Sequence, residues 1–206
     1  MNDFLAAHRT VMSIATEVVS RVRPDQLGLP TPCAAWDLGQ LLAHMVGQNH
    51  GFAAVARGET SDASVFADRP VGEDPGADFA ASARDVVAAF NEEGVTERKF
   101  WLPEIRDGIM LPATTSMGFH FIDYVVHSWD VAASLGRSVE FDADILARSL
   151  PIAEAVPGGK AREAADSAFA PILERPDLLE RPQEATTLDR ILALLGRSPE
   201  WPSVAQ

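Results

Sequence analysis

The chain has 206 residues, 47% of them apolar, a net charge of −13 and a single cysteine. That length supports one sizeable hydrophobic core, and the acidic balance repels phosphate backbones and anionic lipid, which argues against nucleic-acid and membrane partners. One cysteine cannot form an internal disulfide, the opening MNDFLAAHRT lacks the pattern of a secretory signal, and no apolar run reaches the ~20 residues that span a bilayer, so a cytoplasmic protein is expected.

Residues 3–22 place Phe4, Leu5, His8, Val11, Met12, Ala15, Val18, Val19 and Val22 at three- and four-residue steps, the stripe of an amphipathic helix that Pro24 stops. Asp37 followed by Gln40 is a capping box, and it opens a second helix that runs to about Arg57. Residues 58–77 are rich in Gly, Pro, Asp and Ser and read as a surface connection, long enough to serve as a lid. A third helix is expected from Asp78 to Glu93, with Phe79, Ala83, Val86, Val87 and Phe90 on its inner face and Gly94 as its stop. Residues 95–112, broken by Pro103, Gly108 and Pro112, read as extended or irregular.

A fourth helix, about Ala113 to Leu135, is apolar nearly all round and ends at Gly136, and a shorter one spans Asp142 to Ala155. Beyond Pro157 the composition turns to Gly, Pro and charge until TTLDRILALLG, residues 186–196, restores a helical period. The expected architecture is all-α: an up-and-down four-helix bundle over residues 1–156, with residues 157–206 forming a C-terminal arm that ends in a short docking helix.

On the fourth helix the 100° step puts His120, Asp123, His127 and Asp130 on the side opposite Val125, Val126 and Trp129. A polar stripe is ordinarily the solvated face of its helix. From Gly108 to Gly136, however, there is no Lys, Arg or Glu, the residues that usually cover exposed helix surface. A buried His/Asp stripe costs several kcal/mol unless its members are paired, hydrogen-bonded or metal-bound. Asp123 and His127, four residues apart, can offer two ligands from one helix face. Another ligand must come from elsewhere, and the second helix supplies His44 and His50, on opposite flanks of its apolar stripe; periodicity does not separate them. His8 reads as a core-edge histidine, and Cys33 and Trp36 as packing residues.

The segments TPCAAWDLGQLLAHMVGQNHGF and GFHFIDYVVHSWDVAASLG resemble the DinB/YfiT-like superfamily, more narrowly the N-terminal domain of mycothiol-dependent maleylpyruvate isomerase and the short uncharacterised proteins related to it. SAFAP and LDRILALLGRSPEW resemble the tail of that short group. The resemblance implies His44 as the ligand from the second helix and Asp123 and His127 as the later pair. Relatives commonly carry His or Glu where this chain has the shorter Asp123. His120 and Asp130 are candidates to support the ligands from behind, as outer carboxylates do for ligating imidazoles.

Two histidines, one carboxylate and an open fourth position suit Zn2+, with Ni2+, Fe2+ or Mn2+ also compatible by ligand type. The function this implies is a metal-dependent enzyme acting on a small molecule, by mycothiol-type thiol transfer or isomerisation or by metal-assisted hydrolysis. The alternative is a non-catalytic metal- or small-molecule-binding protein on the same scaffold. A low-molecular-weight thiol and a second copy of the chain are the expected partners.

Overall fold

The computed structural model of the protein describes residues 2–33, 36–103, 109–162, 169–173 and 186–202. The chain is mostly helical: α1 (Asn2–Val19), α2 (Leu38–Ala56), α3 (Pro75–Phe90), α4 (Ala113–Ser134), α5 (Ala143–Ala155) and α6 (Thr187–Leu194). The expectation of an all-α chain is corrected by a small hairpin, β1 (Lys99–Trp101) paired antiparallel with β2 (Met110–Pro112), Phe100 opposite Leu111. It lies in the stretch read as extended or irregular. Of the arm expected over residues 157–206, residues 163–168, 174–185 and 203–206 fall outside the described residues.

Local chemistry sets the helix limits. Asp37 accepts the Gln40 amide at 2.8 Å while the Gln40 side chain accepts the Asp37 amide at 3.0 Å, the reciprocal cap that the sequence announces. α1 ends three residues earlier than its apolar stripe, because Arg23, preceding Pro24, takes the extended conformation that proline imposes on its neighbour. α3 starts three residues earlier than expected: Asp74 caps the Ala77 amide at 2.9 Å and Pro75 occupies the first turn, where its missing N–H costs nothing.

Both α1 and α2 pack on α3 and on α4, so α1 faces α2, and α3 faces α4, across the diagonals. Arg9 meets Asn91 at 2.7 Å and the Gly76 backbone lies against Ser20, so α1 and α3 are antiparallel. Asn49 meets Ser82 at 2.9 Å, and Arg57 meets Asp85 and Glu92 at 2.8 and 2.9 Å, so α2 and α3 run parallel. Met45 and Asn49 meet Tyr124 and His120 in reverse order, which makes α2 and α4 antiparallel. The directions are therefore up, down, down, up, a correction to the simple up-and-down order.

Parallel neighbours need a connection that returns the length of a helix, and this is why residues 57–74 form so long a crossover. The crossover lies close on α2. A Cβ at Gly47 would stand 2.5 Å from the Ala67 carbonyl oxygen and one at Gly51 would stand 2.2 Å from the Phe66 ring, so both positions require glycine.

The main core joins α1 to α4 around Phe79, Phe90, Phe100, Phe121 and Tyr124, each fully buried. Burying a phenylalanine contributes about 1.5–3 kcal/mol. A smaller apolar layer sets α6 against α5 and the back of α4, through Ile122, Val126, Ala153, Ile191, Leu192 and Leu195.

One polar chain crosses the core. His8 of α1 contacts Nδ1 of His120 in α4 at 3.1 Å through Nε2, His120 Nε2 contacts Asn49 Oδ1 of α2 at 3.2 Å, Asn49 donates to Ser82 of α3 at 2.9 Å, and Ser82 donates to the Phe79 carbonyl at 2.8 Å. The His120 ring also stacks on Tyr124 at 4.2 Å, and the Tyr124 hydroxyl donates to the Met45 carbonyl. His8 is thus wholly interior, not at the core edge.

Burial, with Arg9 nearby, lowers the His8 pKa to about 3, and burial, with His8 beside it, takes His120 well below the usual imidazole value. Both rings stay neutral in the fold, while the unfolded chain takes up protons below about pH 6.5, so stability present above that pH is lost as pH falls. Each such ring steepens the loss by up to about 1.4 kcal/mol per pH unit. We expect unfolding free energies from urea titrations to fall steeply from about pH 6.5 to 5. His8→Leu, with one of the two groups removed, should be less stable near neutrality yet show a clearly shallower pH slope. Identical slopes in the two proteins would show that the pair is not held neutral.

Candidate metal centre

α2 and α4 bring together the three residues that the sequence singled out. His44, Asp123 and His127 each offer a ligand atom, and those atoms all lie within 4.8 Å of one another. His127 Nε2 stands 3.2 Å from Asp123 Oδ1, and the His44 and His127 rings meet edge to face with centroids 5.7 Å apart. The Trp36 indole covers His44 at 4.5 Å, so its place is at the site as well as against the core. His127 is buried, whereas the side chains of His44 and Asp123 are 21% and 22% exposed, so the cluster has one side open to solvent.

Behind His127 the polar contacts continue inward. Its Nδ1 lies 2.9 Å from Asp130 Oδ2, and Arg197, from the segment after α6, approaches the same oxygen at 3.4 Å. Asp130 and Arg197 are both interior. Arg197 is further held by the Leu195 carbonyl at 2.8 Å and by the Phe169 ring, 5.5 Å below its guanidinium carbon. On the open side Asp68 of the crossover places Oδ1 3.4 Å from His44 Nδ1.

These contacts set the charge states. Burial pulls His127 down, but Asp123 and Asp130 outweigh it and hold the imidazole up at about 9. Burial pushes Asp123 up, but His127, with His44 and His120, lowers it to about 2. Burial lowers His44, with the His127 charge adding to it against the pull of Asp123 and Asp68. Without metal the centre is therefore an imidazolium between two carboxylates, beside a neutral imidazole.

This donor set fits a divalent ion. Tetrahedral zinc, with bonds of ~2.0–2.2 Å, spaces its ligands about 3.3 Å apart. The His127–Asp123 pair already stands at 3.2 Å, and the full set within 4.8 Å needs only small side-chain adjustment to close. Asp130 on Nδ1 leaves Nε2, the nitrogen turned toward Asp123, as the one available to a metal once its proton is lost.

The polar stripe on α4 does not act as a unit. His120 turns into the four-helix hydrogen-bond chain, away from the cluster, while Asp130 does contact His127. His50, the other candidate on α2, is half-buried near Arg69 and Asp85, apart from the three donors. Asp68 and Arg197 were not read from the sequence. The Gly47–Gly51 spacing in α2 signals a close backbone approach and could have pointed to the crossover; Arg197 carried no comparable signal.

The chain has counterparts among known proteins. Two uncharacterised Mycobacterium tuberculosis proteins, one from strain CDC 1551 / Oshkosh and one from strain ATCC 25618 / H37Rv, are each 32% identical to this chain over 197 residues, covering 95% of it and 98% of the relative. The crystal structure of the mycothiol-dependent maleylpyruvate isomerase superposes on 79% of this chain and 71% of its own with a TM-score of 0.53 at 15% identity, which is a likeness of fold. Residues 8–132, spanning α1 to α4 and all three donors, match the mycothiol maleylpyruvate isomerase N-terminal domain, and the chain belongs to that family.

Proposed function

We propose that the protein binds one divalent metal ion, zinc by its donor set, at His44, Asp123 and His127, and acts on a small molecule as a thiol-dependent transferase or isomerase. In this reading α1 to α4 form a DinB/YfiT-like bundle and residues 157–206 an arm upon it. The observation that carries the proposal is the convergence of two imidazoles and a carboxylate from two helices, with a second carboxylate behind His127. A divalent ion held by such a set supplies Lewis acidity and lowers the pKa of a coordinated water or thiol. The chain's own residues do the rest: Asp130 orients His127, Trp36 walls one side, and the open side between His44 and Asp123 admits the small molecules. The mycothiol dependence of the structural neighbour makes a low-molecular-weight thiol the first co-substrate to assay.

Elemental analysis of protein purified without added metal should give close to one divalent ion per chain, with His44→Ala and His127→Ala empty. Unchanged metal in both variants would end the assignment. Asp123→Asn keeps the size and removes the charge, so affinity should fall at least the ~10- to 100-fold typical of disturbing an outer partner. Asp123→Glu, retaining the carboxylate, should lose less. Equal small losses in the two variants would remove Asp123 from the ligands.

Because His127 is protonated up to about 9 in the metal-free state, an ion must displace that proton. Affinity should therefore rise about tenfold per pH unit between about pH 6.5 and 8.5, with close to one proton released per ion. Chelator competition and calorimetry in buffers of different ionisation enthalpy measure both. A flat profile would place the ion elsewhere. Turnover of an electrophile with mycothiol separates the enzyme from the alternative, a binding protein on the same scaffold, for which tight ligand binding without turnover is the expected result.

A further inference from the structure

We propose that Asp68, on the crossover between α2 and α3, is a positioning residue for His44: it draws the Nδ1 proton toward its carboxylate and thereby leaves Nε2 as the lone-pair nitrogen for a metal ion. The inference rests on the metal-site reading above and adds to it a residue outside the three donors.

The starting observation is the 3.4 Å approach of Asp68 Oδ1 to His44 Nδ1. An exposed pair of this kind ordinarily contributes 0 to about 1 kcal/mol and orders little, because both side chains wander. Here the backbone that carries the carboxylate cannot wander. The Arg69 amide donates to the carbonyl of Ala43, the residue before His44, at 2.9 Å. The Ala67 carbonyl rests against Gly47, where a Cβ would stand 2.5 Å from its oxygen and 3.1 Å from the Asp68 Cα. The Phe66 ring, itself buried, rests on Gly51. Residues 43, 47 and 51 are successive turns of one helix face, so the crossover is keyed into α2 on both sides of Asp68.

Trp36 lies over the His44 ring with an interplanar angle of 33°. Such a contact fixes the plane of an imidazole but not its flip, since rotation by 180° exchanges the sides on which the two nitrogens lie. A carboxylate at one edge removes that ambiguity: a neutral imidazole with its proton on Nδ1 has its lone pair on Nε2. His127 is served in the same way, with Nδ1 on Asp130 at 2.9 Å. Both histidines of the cluster thus give Nδ1 to a carboxylate, and ligating imidazoles commonly have such a partner on the second nitrogen. The two carboxylates differ in setting, Asp130 being fully interior and Asp68 57% exposed. Asp68 can therefore be altered without disturbing the core.

The test uses the full chain labelled with 15N-histidine, with and without Zn2+. In the metal-free wild type at about pH 8, where neutral imidazole dominates, His44 should show a protonated Nδ1 and an unprotonated Nε2. Asp68→Ala should shift it toward the Nε2-protonated tautomer, leave the thermal midpoint nearly unchanged and weaken Zn2+ binding by about 10- to 100-fold. Asp68→Asn, whose amide oxygen can still accept, should fall between the two. A His44 that carries its proton on Nε2 in the wild type, or whose tautomer and Zn2+ affinity are the same in Asp68→Ala, would overturn the proposal. Failure of the wild type itself to bind Zn2+ would overturn the metal-site reading, while the tautomer measurement still decides the role of Asp68.

Discussion

The hydrogen-bonded chain from His8 through His120 and Asn49 to Ser82 touches each of the four long helices, and the placement of everything else follows from it. A buried hydrogen bond adds only about 1 kcal/mol when made, but a buried donor or acceptor left without a partner costs about 1–3 kcal/mol. A slip of α4 along α2 would break two such contacts at once, Asn49 with His120 and Tyr124 with the Met45 carbonyl. Apolar burial is non-directional, so the polar chain adds to the packing of the phenylalanine cluster a set of contacts that only one register satisfies. That register puts His44 against His127, two turns further along α4 than His120. The chain also has one direction: Ser82 must donate to the Phe79 carbonyl, which orients the Asn49 amide and so fixes the tautomers of His120 and His8.

Local signals in the sequence located most helices and the Asp123–His127 pair, whereas periodicity alone left His44 and His50 as equal partners for it. The Asp37–Gln40 box, the stripes of α1 and α3, and the Gly108–Gly136 stretch without Lys, Arg or Glu each have a short-range physical cause, which a linear reading can reach. Asp123 and His127 were legible because four residues make one helical turn. Other features depend on contacts between distant segments. The parallel course of α2 and α3 was hidden because nothing within residues 57–74 states where that segment returns. The helical step makes the polar stripe on α4 a single surface, yet it divides between two environments within one turn: His120 enters the core and Asp123 joins the cluster with His44. Asp74 and Pro75 share the composition of the loop before them, and only the helix that follows makes them a cap and a first turn.

Charge alternates along the line from Arg197 through Asp130, His127 and Asp123, and each neighbour offsets the desolvation of the next. Such a line is balanced without metal, which is why His127 holds its proton so firmly. The same arrangement distributes support unevenly. The inner carboxylate is gripped by an interior guanidinium, whereas the outer one, Asp68, meets water and owes its place to two glycines in α2. Rigidity on one side and accessibility on the other let a single pair of histidines be held from both flanks.

Asp130 lies inside the segment shared with the isomerase N-terminal domain, residues 8–132, but its cationic partner comes from beyond that segment. The inherited stretch is therefore not an electrically closed unit. A gene fusion that kept α1 to α4 and exchanged the tail would take away one of the two cationic groups that the described residues place beside the interior Asp130 and leave it to His127, 2.9 Å away. The two positions are thus coupled electrostatically across the boundary of the shared segment. Arg197 thereby constrains which tails can be joined to this helical core.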